Sequence, residues 1–129
     1  MRNLSSSDPE TDLDVFEIRL EGEFDLSERR RLTDAFCVAN SAAVVVLNLS
    51  KATYMDSTAL ECVVALELAT RRRGARLVVT GVDGTVRRLF EVTMLDGYFD
   101  IQPKLAAVIA PDSRTRRLTL VSAIESPTI

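Results

Sequence analysis

Apolar residues recur along the chain in two alternating periods, which predict its elements. Leu13, Val15, Ile18 and Leu20 alternate with charged neighbours. This reads as a half-exposed strand, with a slip of phase near Phe16 that suggests a bulge. Gly22-Glu23-Phe24-Asp25 closes it as a turn. From Ser27, with Arg30 and Arg31, the residues Leu32, Ala35, Phe36 and Ala39 fall at helical spacing until Asn40-Ser41. Val44 to Leu49 is continuous and rich in β-branched residues, the mark of a central strand covered on both faces. After a short polar link a second helix runs from about Thr58 to Arg73, with Leu60, Val63, Val64 and Leu68 in one stripe. Glu61, three residues after Thr58, predicts a capping box, and Gly74 predicts the C-cap. Leu77 to Thr80 is a short buried strand. Gly81 to Gly84 then turns the chain into a helix with Val86, Leu89 and Phe90 inward. Tyr98 to Ile101 makes a last short strand, and Pro103 starts a final helix through Leu105, Val108 and Ile109.

Strands that alternate with helices imply an α/β fold with helical crossovers. The expectation is a single domain with a mixed, mostly parallel sheet of four to five strands and about four helices. Any antiparallel exception falls on the first strand. Residues 1–12, rich in Ser, Asp, Pro and Glu, form a flexible lead-in. The domain occupies 13–110. Residues 111–129 form a C-terminal extension of unknown structure with one β-prone piece, Leu118 to Val121.

Composition narrows the function classes. With 47% apolar and 27% charged residues the chain is an ordinary soluble globule. A net charge of -3 argues against direct nucleic-acid binding. There is no histidine, which removes the commonest general base and metal ligand. Cys37 and Cys62 lie too far apart in sequence for a metal-type pair and are expected as reduced, buried, small apolar residues. No metal or cofactor is called for. The start lacks the apolar segment of a secretory signal, and no stretch approaches the ~18 apolar residues of a membrane span. A cytoplasmic protein without membrane insertion is expected. Arg71, Arg72 and Arg73 with Arg76 read as a solvated helix end.

Chemistry concentrates in the run from Tyr54 to Leu60, TYMDSTAL with its leading Thr53. Ser57 stands where an apolar-striped helix begins, and the positive end of a helix tolerates a phosphate. Two readings are open: a plain helix N-cap, or an outward-facing phosphoacceptor with Thr58 as the cap. Asp25 and Asp56 are turn- or cap-forming carboxylates that also suit support of a hydroxyl. No nucleophile–base pair is visible, so an enzyme is not expected.

These residues resemble the STAS domain of anti-sigma factor antagonists over roughly Val15 to Ala110. Gly22-Glu23-Phe24-Asp25 is similar to the family's GELD-like turn, and Val46-Leu47-Asn48-Leu49-Ser50 to its central strand. Tyr54-Met55-Asp56-Ser57-Thr58-Ala59-Leu60 stands where the family has its Asp-Ser-Ser/Thr-Gly-Leu segment. Val86-Arg87-Arg88-Leu89-Phe90 and Leu95-Asp96-Gly97-Tyr98-Phe99-Asp100-Ile101 match a later helix and the last strand. The resemblance implies a phosphoprotein of bacterial transcription regulation that works by protein–protein interaction. Its partner would be an anti-sigma factor with serine kinase activity, bound until Ser57 is phosphorylated. Asp25, Asp56 and Thr58 would support the acceptor, and Tyr54, Met55, Ala59, Arg87 and Arg88 would meet the partner. Ala59 and Met94 stand where the family carries glycines, and the Ala59 methyl is expected to narrow a partner's approach. Two other readings stay open. One is a STAS subunit docked on a membrane transporter, such as a phospholipid-transport ABC complex, without phospho-switching. The other is a scaffold member of a multi-STAS assembly.

Overall fold

A computed structural model describes residues 13–37, 42–103 and 115–125. Its elements are β1 (Leu13–Phe24), a 3-10 turn (Leu26–Glu28), α1 (Arg29–Cys37), β2 (Val44–Met55), α2 (Ser57–Arg72), β3 (Arg76–Thr80), α3 (Gly84–Val92), β4 (Asp100–Gln102) and β5 (Thr115–Glu125). The lead-in at 1–12 and the final helix expected through Leu105, Val108 and Ile109 lie outside the described residues, as do Ala39 and the Asn40-Ser41 helix end.

The five strands form one sheet in the order β4-β3-β2-β1-β5. Every neighbouring pair is parallel, so the antiparallel exception allowed for the first strand does not occur among the described strands. Strands β1 to β4 step in one direction across the sheet. Right-handed crossovers then place α1, α2 and α3 on one face. Leu32 and Phe36 from α1, Leu60, Val63 and Leu66 from α2, and Val86 and Phe90 from α3 all join one core with Ile18, Leu20, Val45, Leu47, Leu49, Leu77 and Val79.

The pleat turns Val15, Glu17, Val46 and Val78 to the opposite face, and these are buried as well. This corrects the half-exposed first strand. β1 lies between β2 and β5, and its phase slip reflects burial on both faces rather than alternation with solvent. Register shifts do occur in it, at Glu17/Ile18 against β5 and at Arg19/Glu21 and Gly22/Glu23 against β2. Buried Glu17 is held by Asn48, whose Nδ2 donates to Glu17 Oε2 at 2.9 Å, and by Arg19 at 3.2 Å from Oε1. Asn48 Oδ1 in turn accepts from the Ser50 N–H at 2.9 Å. An aspartate at 48 would set a second carboxylate against Glu17 with no proton to share.

Two further expectations change. The polar link after Leu49 is strand, because β2 continues to Met55 beside Glu21 to Phe24. The arginines at the end of α2 are fasteners rather than a solvated run. Arg71 pairs with Glu67, lies 4.5 Å over the Tyr98 ring and donates to the Tyr98 carbonyl at 3.0 Å. Arg73 donates to the Ala42 carbonyl at 2.6 Å, and Arg76 forks onto Asp100 Oδ2 at 2.9 and 2.7 Å. Guanidinium groups reach these acceptors because their planar donors suit carbonyls and carboxylates at a helix end.

Candidate functional site

Parallel strands bring their carboxyl ends to one rim, where chain segments leave the sheet and side chains can meet. Phe24 ends β1 and pairs with Met55, which ends β2. The Asp56 N–H donates to the Phe24 carbonyl at 3.1 Å, which sets Asp25 and Asp56 next to each other on that rim. Asp25 caps the 3-10 turn: its Oδ1 accepts from the Ser27 N–H at 2.9 Å and from the Ser27 hydroxyl at 2.6 Å. The Ser27 hydroxyl and N–H hold the Asp25 carboxyl below the usual aspartate range. Among the described residues the hydrogen bonds of that carboxylate go to Ser27, not to Ser57.

Asp56 is the N-cap of α2. Its Oδ1 accepts from the Ala59 N–H at 2.9 Å, and its Oδ2 accepts from the Leu26 N–H at 3.0 Å. The capping role expected of Thr58, and its box with Glu61, therefore falls to Asp56. A carboxylate one residue earlier already reaches the first-turn N–H groups. Ser57 becomes the first residue of the sixteen-residue helix and is exposed. Its hydroxyl lies where the peptide dipoles of α2 favour an anion.

The structure sorts the expected partner residues into two groups. Tyr54 is 43% exposed, and Arg87 and Arg88 are exposed on α3. Met55 and Ala59 are not surface residues: Met55 is buried, and Ala59 has no exposed area. Met55 points inward because the strand pleat alternates with exposed Tyr54. The Ala59 methyl packs into the core, so it does not narrow a partner's approach. Arg87 and Arg88 lie on α3, which leaves the carboxyl end of β3, and Arg87 lines a groove there with Val82, Asp96 and Gln102.

Leu26 escaped the sequence reading. It is 64% exposed in the turn directly after Asp25. An apolar residue set in an otherwise polar turn was the available signal. Cys62 is buried and Cys37 exposed, correcting the expectation that both are interior. Both line a groove of about 220 Å³ between α1 and α2, with Thr33, Phe36 and Leu66. Burial pushes the Cys62 thiol up, against the helping contact of Thr33, so it serves as apolar wall. Among the described residues no cluster of three or more potential metal ligands occurs, and no helix is long and apolar enough to cross a membrane.

With this geometry the comparisons with known proteins agree. The family model described as "Mlab, STAS domain" matches residues 8–105. The anti-sigma-B factor antagonist of Listeria monocytogenes is 31% identical over 102 residues, covering 78% of this chain and 90% of that protein. A putative anti-sigma factor antagonist from Thermotoga maritima superimposes with a TM-score of 0.63 at 17% identity, over 69% of this chain and 79% of its own. The STAS domain of a SulP transporter from Vibrio cholerae does so with a TM-score of 0.58 at 16% identity, over 81% and 82%. A parallel sheet with its helices on one face, an exposed serine opening the second helix, and matches over most of the length make this chain a member of the STAS-domain family.

Proposed function

We propose that the chain is an anti-sigma factor antagonist. It sequesters an anti-sigma factor with serine kinase activity while Ser57 is unmodified and releases it once Ser57 carries a phosphate. The observation that carries this reading is the exposed Ser57 at the first position of α2, freed from capping by Asp56. The name shared by the Listeria relatives supports the same class of partner.

The chemistry asked of this chain is modest. The chain has no histidine to serve as a general base, and in this reading proton removal and phosphate transfer are the partner's work. Phosphate adds about -1.5 to -2 charges. A helix end stabilises an anion by roughly 0.3–1 kcal/mol, so the modified chain stays folded. A partner carboxylate ~4 Å from the new charge would be repelled by about 4 kcal/mol per charge pair at an effective dielectric near 20. Since about 1.4 kcal/mol is tenfold in affinity, the charge alone suffices for release.

The test is mass spectrometry after incubation with candidate anti-sigma factor kinases and Mg-ATP, with Ser57→Ala as control. One phosphate on the peptide containing Ser57, absent from the control, is expected, together with at least tenfold weaker binding of the phosphorylated chain. A phosphate elsewhere, or undiminished affinity after labelling, contradicts the reading. A STAS subunit docked on a membrane transporter would share this fold, as the Vibrio cholerae domain illustrates. That second reading needs no phosphate on Ser57, so the same assay separates the two.

A further inference from the structure

The outward crest of α2 carries four side chains in a self-complementary order. At 3.6 residues per turn, Glu61, Ala65, Leu68 and Arg72 fall within about 60° of one another around the helix, opposite buried Val63 and Thr70. All four are exposed. Leu68 is a large apolar side chain left 40% exposed on the middle of a long helix. Among the described residues neither Glu61 nor Arg72 takes part in an ion pair, although Arg71 pairs with Glu67 on the flank. The order along the crest is acid, small, large, base. Turned end for end, a second α2 sets base against acid at both ends and large against small in the middle. Ala65 and Ala69 also form the α2 wall of the groove of about 220 Å³ shared with Phe36 and Cys37 of α1. A hollow therefore lies beside the crest.

We propose that this crest is the interface of an antiparallel, two-fold symmetric dimer, its occupant a second copy of this chain. Glu61 of each copy meets Arg72 of the other. Each Leu68 sits on the other copy's Ala65, and the hollow beside Ala65 and Ala69 gives its methyl groups room. A two-fold interface uses one patch twice, so a single self-complementary stripe is enough. Charge selects the direction: a parallel pair would set Glu61 against Glu61 and Arg72 against Arg72, with Leu68 on Leu68. An alanine opposite a leucine lets two helices approach closely, a knob facing a hole. Glu61 to Arg72 spans roughly 16 Å at 1.5 Å per residue, a short apolar seam closed by an ion pair at each end. So small a patch associates weakly, and the dimer forms only as concentration rises. Neither Ser57 nor a kinase enters this pairing, which stands apart from the antagonist reading.

The experiment is sedimentation equilibrium of the full-length chain over roughly 5–500 μM. Monomer is expected at the low end and a majority of dimer at the high end. Leu68→Glu should weaken the dimer at least about tenfold by placing a charge in the apolar seam. Glu61→Arg should do the same by setting arginine against Arg72 at both ends. Glu61→Arg combined with Arg72→Glu remakes both ion pairs in reversed order and should return dimerisation to within about threefold of the parent. Because these side chains are exposed, every variant should keep the helical circular dichroism and cooperative melt of the parent. A parent chain that stays monomeric throughout overturns the inference. So does a dimer that Leu68→Glu leaves intact, or a double exchange that associates no better than Glu61→Arg alone.

Discussion

Met94 sits in the left-handed region at φ 61°, a conformation that glycine adopts without strain. It closes α3 as Gly74 closes α2. Leu95 N–H reaches the Phe90 carbonyl at 2.9 Å and Met94 N–H the Glu91 carbonyl at 3.0 Å. The Gly74 counterpart bonds Ala75 N–H to the Thr70 carbonyl at 2.9 Å and Gly74 N–H to the Arg71 carbonyl at 3.1 Å. Both are Schellman closures, and one carries a side chain where geometry favours none. The family's glycine at this place has its physical reason here. Met94→Gly is expected to raise unfolding free energy by about 1 kcal/mol, the strain of a left-handed non-glycine residue less the added freedom of the unfolded chain. Urea denaturation of the two proteins decides it. Titration belongs to the same scale. Burial works to raise the Asp100 carboxyl, but hydrogen bonds from Gln102 and Arg76 outweigh it and leave it lowered, as Ser27 lowers Asp25. A lowered folded value means stability present above the unfolded pKa, near ~3.9, and lost as pH falls through the folded one. Unfolding free energy should therefore decline below pH about 4. Ser27→Ala should move the Asp25 titration upward when its carboxyl carbon is followed by NMR.

At the scale of elements, the contact of β3 with β2 depends on one absent side chain. A Cβ built at Gly81, where φ is +72°, would lie 2.5 Å from the Ser50 nitrogen and 2.6 Å from its Cα. Backbone cannot yield as a flexible side chain does, so Gly81→Ala should cost about 2 kcal/mol or more, read as a lower urea midpoint with unchanged slope. Gly81 and Gly84 were legible as a turn in sequence. The close approach to Ser50 was not, because it joins segments thirty-one residues apart. The same distinction runs through α2. Its existence and the inward Leu60 and Val63 followed from period alone, but Leu68, expected in the same stripe, is 40% exposed, and its cap was not legible. Asp56, Ser57 and Thr58 are all good capping residues. Asp56 takes the position because the end of β1 offers the Phe24 carbonyl to its N–H and the 3-10 turn that follows offers the Leu26 N–H to its second oxygen. Ser57 is thereby left outward. Arg71, Arg73 and Arg76 could be read as cations suited to a helix C-terminus. Tyr98, Ala42 and Asp100, the acceptors that occupy them, come from other elements.

At the scale of the whole molecule, β5 changes the status of the C-terminal residues. Leu118 to Val121 is β-prone in sequence, but nothing local names the edge against which Thr115–Glu125 pairs. In the fold it runs parallel to β1, from Leu13 against Thr115 to Glu21 against Glu125. Without it β1 would present an unpaired backbone edge. A chain truncated after residue 110 is expected to melt at lower temperature and to associate, seen as earlier elution in size-exclusion chromatography. An equally stable monomer would show that β5 contributes nothing to the sheet. The sequence by itself determined the class of fold, the order of elements from β1 to β4, the core residues Leu32, Phe36, Leu60, Val63, Val86 and Phe90 of the helices and the serine at the head of α2, because period, capping preference and turn chemistry act over a few residues. Only the tertiary structure decided that Met55 and Ala59 face inward, that β1 is covered on both sides, and that one aspartate ties Leu26 to the serine helix. Those outcomes depend on which distant backbone groups arrive as neighbours, and no local preference carries that information.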